Sequence, residues 1–552
     1  MSARDVVHPV KRKRSRNEKV SLWQDFGHYQ LCMLAATQIS YMPIAASILS
    51  TSFMKMSKEA CALVLEARNG TSGTMSAVPE GEFQSLLTLW ALDCTERAQS
   101  VQTVISTMIM LGGLVGAIIS GFVADRWGRK PVVIATLSLV SAANGLLLLA
   151  SHLSWPATLP IFFLLGAATG GYMTTNLVLV VESLCLPASR LLVVALNGWS
   201  LSMAGIALLA ALCPHWFQYH LAVAVIAALC AGALFCIADE SLRWLRSSHK
   251  VERFDRAAAR LAKFNGCDSL KDVPLLCQLE RDGAVQARSL ITSGDDSAES
   301  GNTAAGASLS ANSMSYLDLF AERSLRPRLL SLGYCFFCSS IVSFGFYFAF
   351  DSLSGNRYAT MAIGGGGKFV LGLLPFVVSS CVSRKQVALI SVAAAALAAW
   401  AVLACLLFGV PLQSLAVTVL SLVATAALDP TWKISHLYST ELFPTNVRNM
   451  ARGFCNSAAR IGSVLAPLVS HLRHDQPHVS FGVFALLLTG QFAITALFLP
   501  NEAPTDLPDS LPAAPVVPTE RRRKQKTSEF DEDDERSREN SSQLSESAPL
   551  TP

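Results

Sequence analysis

Apolar residues run along this chain in blocks longer than a soluble core uses. Six such blocks, at about residues 31–53, 101–122, 132–150, 159–181, 191–212 and 221–237, precede a long polar interval. Six more follow it, at about 329–350, 359–381, 387–408, 415–438, 454–470 and 479–499. Each is near the ~20 residues that carry a helix across a bilayer, and a helix satisfies its own backbone where no water can. The pattern predicts an all-α polytopic membrane protein with twelve transmembrane helices, arranged as six plus six.

Composition agrees. Of 552 residues, 51% are hydrophobic and only 15% charged, and the mean hydropathy is +0.41. A soluble domain is less apolar than this. The net charge of +4 carries no implication of nucleic-acid binding, because the basic residues gather where the positive-inside rule wants them. Lys11, Arg12, Lys13, Arg14, Arg16 and Lys19 mark residues 1–30 as cytoplasmic. The Lys11 to Arg14 run has the look of a nuclear localisation signal, but ahead of so many spans it reads as topogenic or as a contact for anionic lipid. No short signal peptide precedes the first apolar block, so the first helix is expected to serve as the targeting signal.

The charge alternation then divides the chain. Residues 31–238 form a first six-helix bundle whose loop 54–100 lies outside, with Asn69-Gly-Thr71 as a glycosylation acceptor and Cys61 and Cys94 as candidates for a disulfide in an oxidising space. The interval 239–328 holds 13 of the 44 Lys and Arg residues and is expected to be cytoplasmic, with an amphipathic helix at 253–265 and a disordered linker at 289–313. Residues 329–499 form the second bundle, and 500–552 a disordered cytoplasmic tail.

The most densely charged turn of the first half is Gly121-Phe-Val-Ala-Asp125-Arg126-Trp-Gly128-Arg129-Lys130, between the second and third blocks. Its glycines allow the chain to approach and turn, Asp125 can pair with a cation, and Arg126, Arg129 and Lys130 face the cytoplasm. The pattern G-x-x-x-D-R-x-G-R-K resembles the signature loop of the major facilitator superfamily, which implies a latch that opens and closes during transport. An internal echo supports a doubled unit: Glu182 to Pro187 and Arg190 after the fourth block, Glu441 to Pro444 and Arg448 after the tenth. The second copy of the signature turn, Cys381-Val-Ser-Arg384-Lys385, keeps two cations but lacks the acid and the glycine.

Asp239-Glu240-Ser-Leu-Arg243-Trp244-Leu after the sixth block, Tyr438-Ser-Thr-Glu441-Leu-Phe-Pro444-Thr-Asn-Val-Arg448-Asn after the tenth, and the cysteine-bearing outer loop are similar to the organic cation, anion and carnitine transporters of that superfamily, solute carrier family 22. Physically, Asp125, Glu182, Glu240 and Glu441 against Arg126, Arg129, Arg190, Arg243 and Arg448 supply acids and bases at one membrane face. Such pairs can hold the cytoplasmic ends together and break as the halves rock apart.

Charges within the apolar blocks bear on the cargo. Lys368 follows Gly364 to Gly367 in the eighth block and Arg460 lies in the eleventh; an isolated cation at the bilayer centre costs roughly 2.5–3.5 kcal/mol. They either snorkel to a surface or face a cavity that takes an anion. In the organic anion branch a lysine and an arginine stand at these motif positions, so the resemblance implies an anion transporter. Phe346 and Tyr347, among Phe344 to Phe348, match aromatic positions of that branch, as does Trp199, and would stack on flat substrates. Asp429 and Lys433 depart from the family. One turn apart, they either neutralise each other or serve as proton carrier and extension of the anion site.

No nucleotide-binding loop, zinc-protease motif or paired cysteine motif is present, so no enzyme, cofactor or metal is implied. The expectation is a secondary active transporter of small organic ions, most of all anions, working by alternating access as uniporter or exchanger with a counter-substrate or coupling ion. Its setting would be the lipid bilayer of the plasma membrane, with both termini cytoplasmic and no nucleic-acid partner. The alternatives are a transporter of organic cations or carnitine, and a receptor that keeps the fold with little turnover. The topology makes one direct prediction: Asn69 carries glycan and Asn540, also in an N-x-S context, does not. A glycosidase shift retained in Asn69→Gln, or lost in Asn540→Gln, would reverse the assigned orientation.

Overall fold

The computed structural model describes residues 25–56, 60–64, 82–267, 275–276, 320, 325–350, 353, 355–378, 381–443 and 445–500, without the side chains of 187–188, 440–441, 445–449 and 474–475. Asn69, the 289–313 linker and the tail lie outside these residues, as do the side chains of Glu441 and Arg448. Twelve long helices make up most of the described chain. The first set is α1 (His28–Phe53), α2 (Glu96–Trp127), α3 (Arg129–His152), α4 (Trp155–Glu182), α5 (Ser189–Leu212) and α6 (Trp216–Ile237). The second is α7 (Arg326–Tyr347), α8 (Arg357–Val377), α9 (Arg384–Leu407), α10 (Leu415–Glu441), α11 (Thr445–Asp475) and α12 (Pro477–Phe498).

Eleven of these helices are long and apolar enough to cross a bilayer. The other, α11, has 31 residues but carries Arg448, Arg452, Asn456 and Arg460 in its first half. Its apolar stretch therefore suggests only 454–470, whereas the helix extends beyond that at both ends. Hydrogen bonding fixes the helix; polarity hides it from hydropathy.

Large apolar side chains face outward, as lipid requires: Phe122, Leu208, Leu229, Leu397 and Leu407 are all exposed. Polar side chains turn inward instead. Asn144 reaches Ser47 across the α1–α3 contact at 3.0 Å, and His220 Nδ1 lies 2.9 Å from Asn144 Oδ1. Within the first half, α2 packs on α4, α3 on α4 and α6, and α1 on α5. In the second, α7 packs on α11, and α9 on α10 and α12. The halves meet chiefly through α5 against α8 and α2 against α11.

Small residues set the closest approaches. A Cβ on Gly166 would run into the backbone of Ile109, and one on Gly365, in the glycine run of α8, would stand 2.6 Å from Ser200 O in α5. Of the four glycines in that run, Gly365 alone sets the approach between the halves; Gly364 and Gly367 face α10, and a Cβ on Gly366 would meet nothing within 4 Å.

Helix α5 is interrupted, and α10 carries an internal proline. In α5 the helical hydrogen bonding stops after Ala195 and restarts at Gly198, where Asn197 caps the new helix through Trp199 N at 3.1 Å. In α10, Pro430 has no N–H to give to the carbonyl four residues back, which loosens the turn before it.

The amphipathic segment forms the helix Val251–Phe264, close to the expected 253–265, preceded by a short helix Leu242–Ser247. Asn265, at its end, accepts from Tyr29 N at 2.9 Å and donates to Gln30 at 3.1 Å, which ties it to the start of α1.

The α2–α3 turn is built around Gly128, whose φ of +113° lies in a region that L side chains rarely adopt. A Cβ there would also strike the Glu240 carboxylate, while one on Gly121 would meet nothing within 4 Å. Of the two signature glycines, only Gly128 is required by geometry. Gly128→Ala is expected to destabilise the protein by about 1–3 kcal/mol through strain at this backbone, and Gly121→Ala to be nearly neutral. Equal melting temperatures for the two variants in detergent would remove this account of the turn.

Candidate substrate site and gates

A buried chain of charge lies where α8 meets α10. Lys368 Nζ is 3.3 Å from Asp429 Oδ1, and Lys433 Nζ is 3.0 Å from Asp429 Oδ2, with all three side chains at most 7% exposed. Two cations and one carboxylate leave a net charge of +1. Each lysine also donates to a backbone carbonyl: Lys433 to Ala195 O at 2.7 Å, at the break in α5, and Lys368 to Thr425 O at 3.3 Å, within α10. Gly372 makes room, since a Cβ there would collide with both Lys433 and Asp429. Of the two readings of Asp429 and Lys433, mutual neutralisation is incomplete, because Lys368 shares the same carboxylate.

Aromatic rings close over this group. The Lys368 ammonium sits 5.4 Å from the centre of the Tyr347 ring, and Trp199 Nε1 approaches Tyr347 Oη at 3.4 Å. Phe344 packs edge-on to both Trp199 and Tyr347. Phe346 does not join them, which corrects the expected pairing of 346 with 347. Neighbours on a helix point about 100° apart, and Phe346 packs instead on Phe481 and Phe484 of α12, fully buried.

Arg460 stands on another wall. Its Nη1 lies 4.0 Å from Met173 Sδ in α4, and its charge acts on Tyr41 of α1, which bonds Asn176. A cavity of about 30 Å³ runs between the halves, lined by Gln38, Tyr41, Asn197, Trp432, Lys433 and His436. It brings the Arg460 neighbourhood, through Tyr41, to the lysine pair, through Lys433. At this volume it admits about one water, so an organic substrate requires the halves to part.

Contacts across the halves occur near both faces. On the face carrying the 54–100 loop, Arg357 Nη2 pairs with Glu82 Oε2 at 2.7 Å while Nη1 donates to Lys55 O, and Tyr358 stacks on Phe53 at 5.7 Å. Thr103 of α2 also meets His471 of α11 at 3.2 Å. Sequence reasoning missed this latch, because Arg357 and Glu82 each look like an ordinary loop charge. Near the opposite face, the first turns of α5 touch the last turn of α8.

The signature network itself joins elements of the first half. Arg129 pairs with Asp125 at 2.9 Å and with Glu182 at 3.4 Å. Glu240 takes Arg129 N at 2.7 Å and Lys130 N at 3.3 Å, which caps the start of α3 where the helix dipole favours an anion. Arg243 and Arg190 reach backbone carbonyls, Glu182 O at 3.3 Å and Leu184 O at 3.0 Å. Arg126 and Asp125 are exposed, the latter by 77%. Asp25, not singled out from sequence, accepts from Cys185 N and Leu186 N at 3.0 and 2.8 Å and so holds the link between α4 and α5.

The second signature turn is rebuilt rather than merely eroded. Ser383 and Gln386 form a reciprocal cap at the start of α9, and Lys385 donates to Ala496 O at 2.8 Å. A local cap replaces a borrowed carboxylate there. Cys61 and Cys94 are joined by a disulfide, Cα atoms 5.4 Å apart.

A helical bundle of this plan, with its charge inside and its apolar surface outside, is that of a membrane transporter of the major facilitator type. The chain belongs to the sugar (and other) transporter family, whose profile matches residues 41–507. Among curated proteins it is similar to organic anion transporter 3 of Oryctolagus cuniculus, 27% identical with 77% of this chain and 73% of the relative covered. Solute carrier family 22 member 6 of Bos taurus is 28% identical, with 83% and 78% covered. Among solved structures, the proton:xylose symporter XylE bound to 6-bromo-6-deoxy-D-glucose aligns with a TM-score of 0.57 at 13% identity, covering 86% of this chain and 96% of that one. These relatives are membrane transporters, not enzymes.

The outer latch yields a prediction. Glu82 and Arg357 are 17% and 11% exposed, so their pairing is largely shielded from water. A thermal-stability double-mutant cycle with Glu82→Gln and Arg357→Gln should show a coupling of about 0.5–3 kcal/mol. Additive single effects would mean that the two residues do not latch the halves.

Proposed function

We propose that this protein carries small organic anions across the membrane by alternating access. The observation that carries the reading is the buried Lys368–Asp429–Lys433 group: a net positive site at the junction of the halves, roofed by Tyr347 and Trp199 and linked by a cavity to the surroundings of Arg460. A carboxylate or sulfate would replace part of Asp429's hold on the lysines. Its flat apolar body would lie on the aromatic rings, with Arg460 as a second grip. Relatives named as organic anion transporters support the substrate class. In this reading Asp429 is a resident counter-anion. It keeps the empty site neutral enough to close, and it competes with substrate to permit release, either alone or by taking a proton.

The gates follow the same logic. The Glu82–Arg357 latch would open outward, while the α5–α8 contact would open on the face assigned to the cytoplasm, in a plasma membrane with both termini inside.

Uptake in oocytes should be saturable and trans-stimulated for aromatic carboxylates and sulfates, and absent for quaternary ammonium ions. Arg460→Lys should raise KM, and Lys368→Ala should raise it about ten- to a hundredfold, the scale of a lost charge-assisted hydrogen bond. Asp429→Asn should instead lower both KM and maximal rate, since two uncompensated lysines hold the anion and release it slowly. Preference for organic cations, or anion uptake unchanged after Lys368 and Arg460 are both neutralised in protein confirmed at the surface, would overturn the proposal.

A further inference from the structure

A second charged cavity lies apart from the substrate path, on the face that carries the α2–α3 turn. It has a volume of about 400 Å³ and sits between that turn, the chain leaving α6 and the amphipathic helix Val251–Phe264. Lys130, Arg253, Arg256 and Arg260 line it against Asp239 and Glu240, four positive charges to two negative, a balance of +2.

The acids are largely engaged. Glu240 is held by the N–H groups of Arg129 and Lys130 at the start of α3. Asp239 pairs with Arg260 at 2.9 Å through Oδ1, and burial pushes its carboxyl above the usual range against the pull of Arg260 and Lys130. Its Oδ2 is buried with no hydrogen-bond partner. The bases are freer. Arg256 makes exposed contacts with Glu252, to its carbonyl at 3.3 Å and its carboxylate at 3.5 Å, and Arg253 has no ion pair among the described residues.

The cavity opens at the edge of the lipid-facing surface. Trp127, on its rim, is 67% exposed, and Phe235, 64% exposed, carries the Lys130 ammonium 5.5 Å from its ring centre. A ligand here has to satisfy arginines with anionic oxygens, give a donor to Asp239 Oδ2, and extend an apolar part past Trp127 and Phe235.

We propose that this pocket binds the headgroup of a phosphoinositide from the adjacent leaflet. Phosphates meet Arg253, Arg256 and Lys130, an inositol hydroxyl donates to Asp239 Oδ2, and the acyl chains pass along Phe235. Phosphatidylserine brings a single phosphate and a second carboxylate, and fills less of the space. A soluble inositol phosphate has no use for the apolar rim. Occupation would fasten the amphipathic helix to the α2–α3 turn, the element on which the signature network is built.

The test uses the full-length protein in detergent micelles, titrated with dioctanoyl phosphatidylinositol bisphosphate and read by thermal shift, so it is independent of any transported substrate. Saturable binding is expected, weakened about tenfold or more in the double variant Arg253→Glu, Arg256→Glu, because each basic residue near such a surface contributes on the order of a fewfold to tenfold. Lys263→Glu, the same charge change on the same helix outside the cavity, should have little effect. If the double reversal does not fold, Arg253→Gln at this exposed position should still weaken binding about threefold. The proposal is overturned if the lipid binds no better than dioctanoyl phosphatidylcholine, or if phosphatidylserine binds as tightly. It is equally overturned if inositol trisphosphate alone matches the lipid, or if Lys263→Glu weakens binding as much as the cavity variants.

Discussion

A charge removed from water inside a membrane has to be met by another charge or by fixed dipoles, and the middle of this protein is arranged around that requirement. Lys368 and Lys433 share one carboxylate and each takes a backbone carbonyl as well. The carbonyl that Lys433 takes lies at the break in α5, where a continuous helix would not offer it. The small residue Gly372 leaves the volume the ion pair fills. Features that look like defects in a transmembrane helix thus become the means by which an ionic site is held, as in other transporters that bind at broken helices.

The same requirement governs the helix ends on the face of the signature turn. Each helix start leaves N–H groups without partners. Glu240 supplies partners to α3 from elsewhere in the chain, and Asn265 does so for α1, while Asp25 holds the α4–α5 link. A borrowed cap ties one element to another, so movement of α3 is coupled to the chain leaving α6. The second half caps α9 locally with Ser383 and Gln386, while Lys385 ties that turn to Ala496 of α12. The halves therefore share a plan but not an attachment. The half with borrowed caps also carries the basic cavity beneath it.

Most of the architecture was legible in the chain itself. Twelve helices, the division into two sets of six, and the amphipathic helix after α6 follow from hydropathy and charge, because lipid imposes a one-dimensional rule: about twenty apolar residues per crossing, with polar residues at the ends. The glycine turn of the signature motif was also readable, since turn geometry is local. Where that rule met a polar helix it faltered, and α11 proved longer than its apolar part.

Which charges meet across the bundle could be decided only in three dimensions. Sequence placed Lys368, Asp429 and Lys433 inside the membrane but left open whether Asp429 served one lysine or something else; α8 against α10 made it the partner of both. It put Phe346 and Tyr347 together, and helical rotation sent one into the α12 packing and the other over Lys368. It gave no hint that Glu82 and Arg357, 275 positions apart, join the two halves on the face that carries the 54–100 loop. Burial and crossing of spans are fixed by patterns a few residues long, whereas pairing depends on how helices rotate and cross, and that is settled by the packing of all twelve.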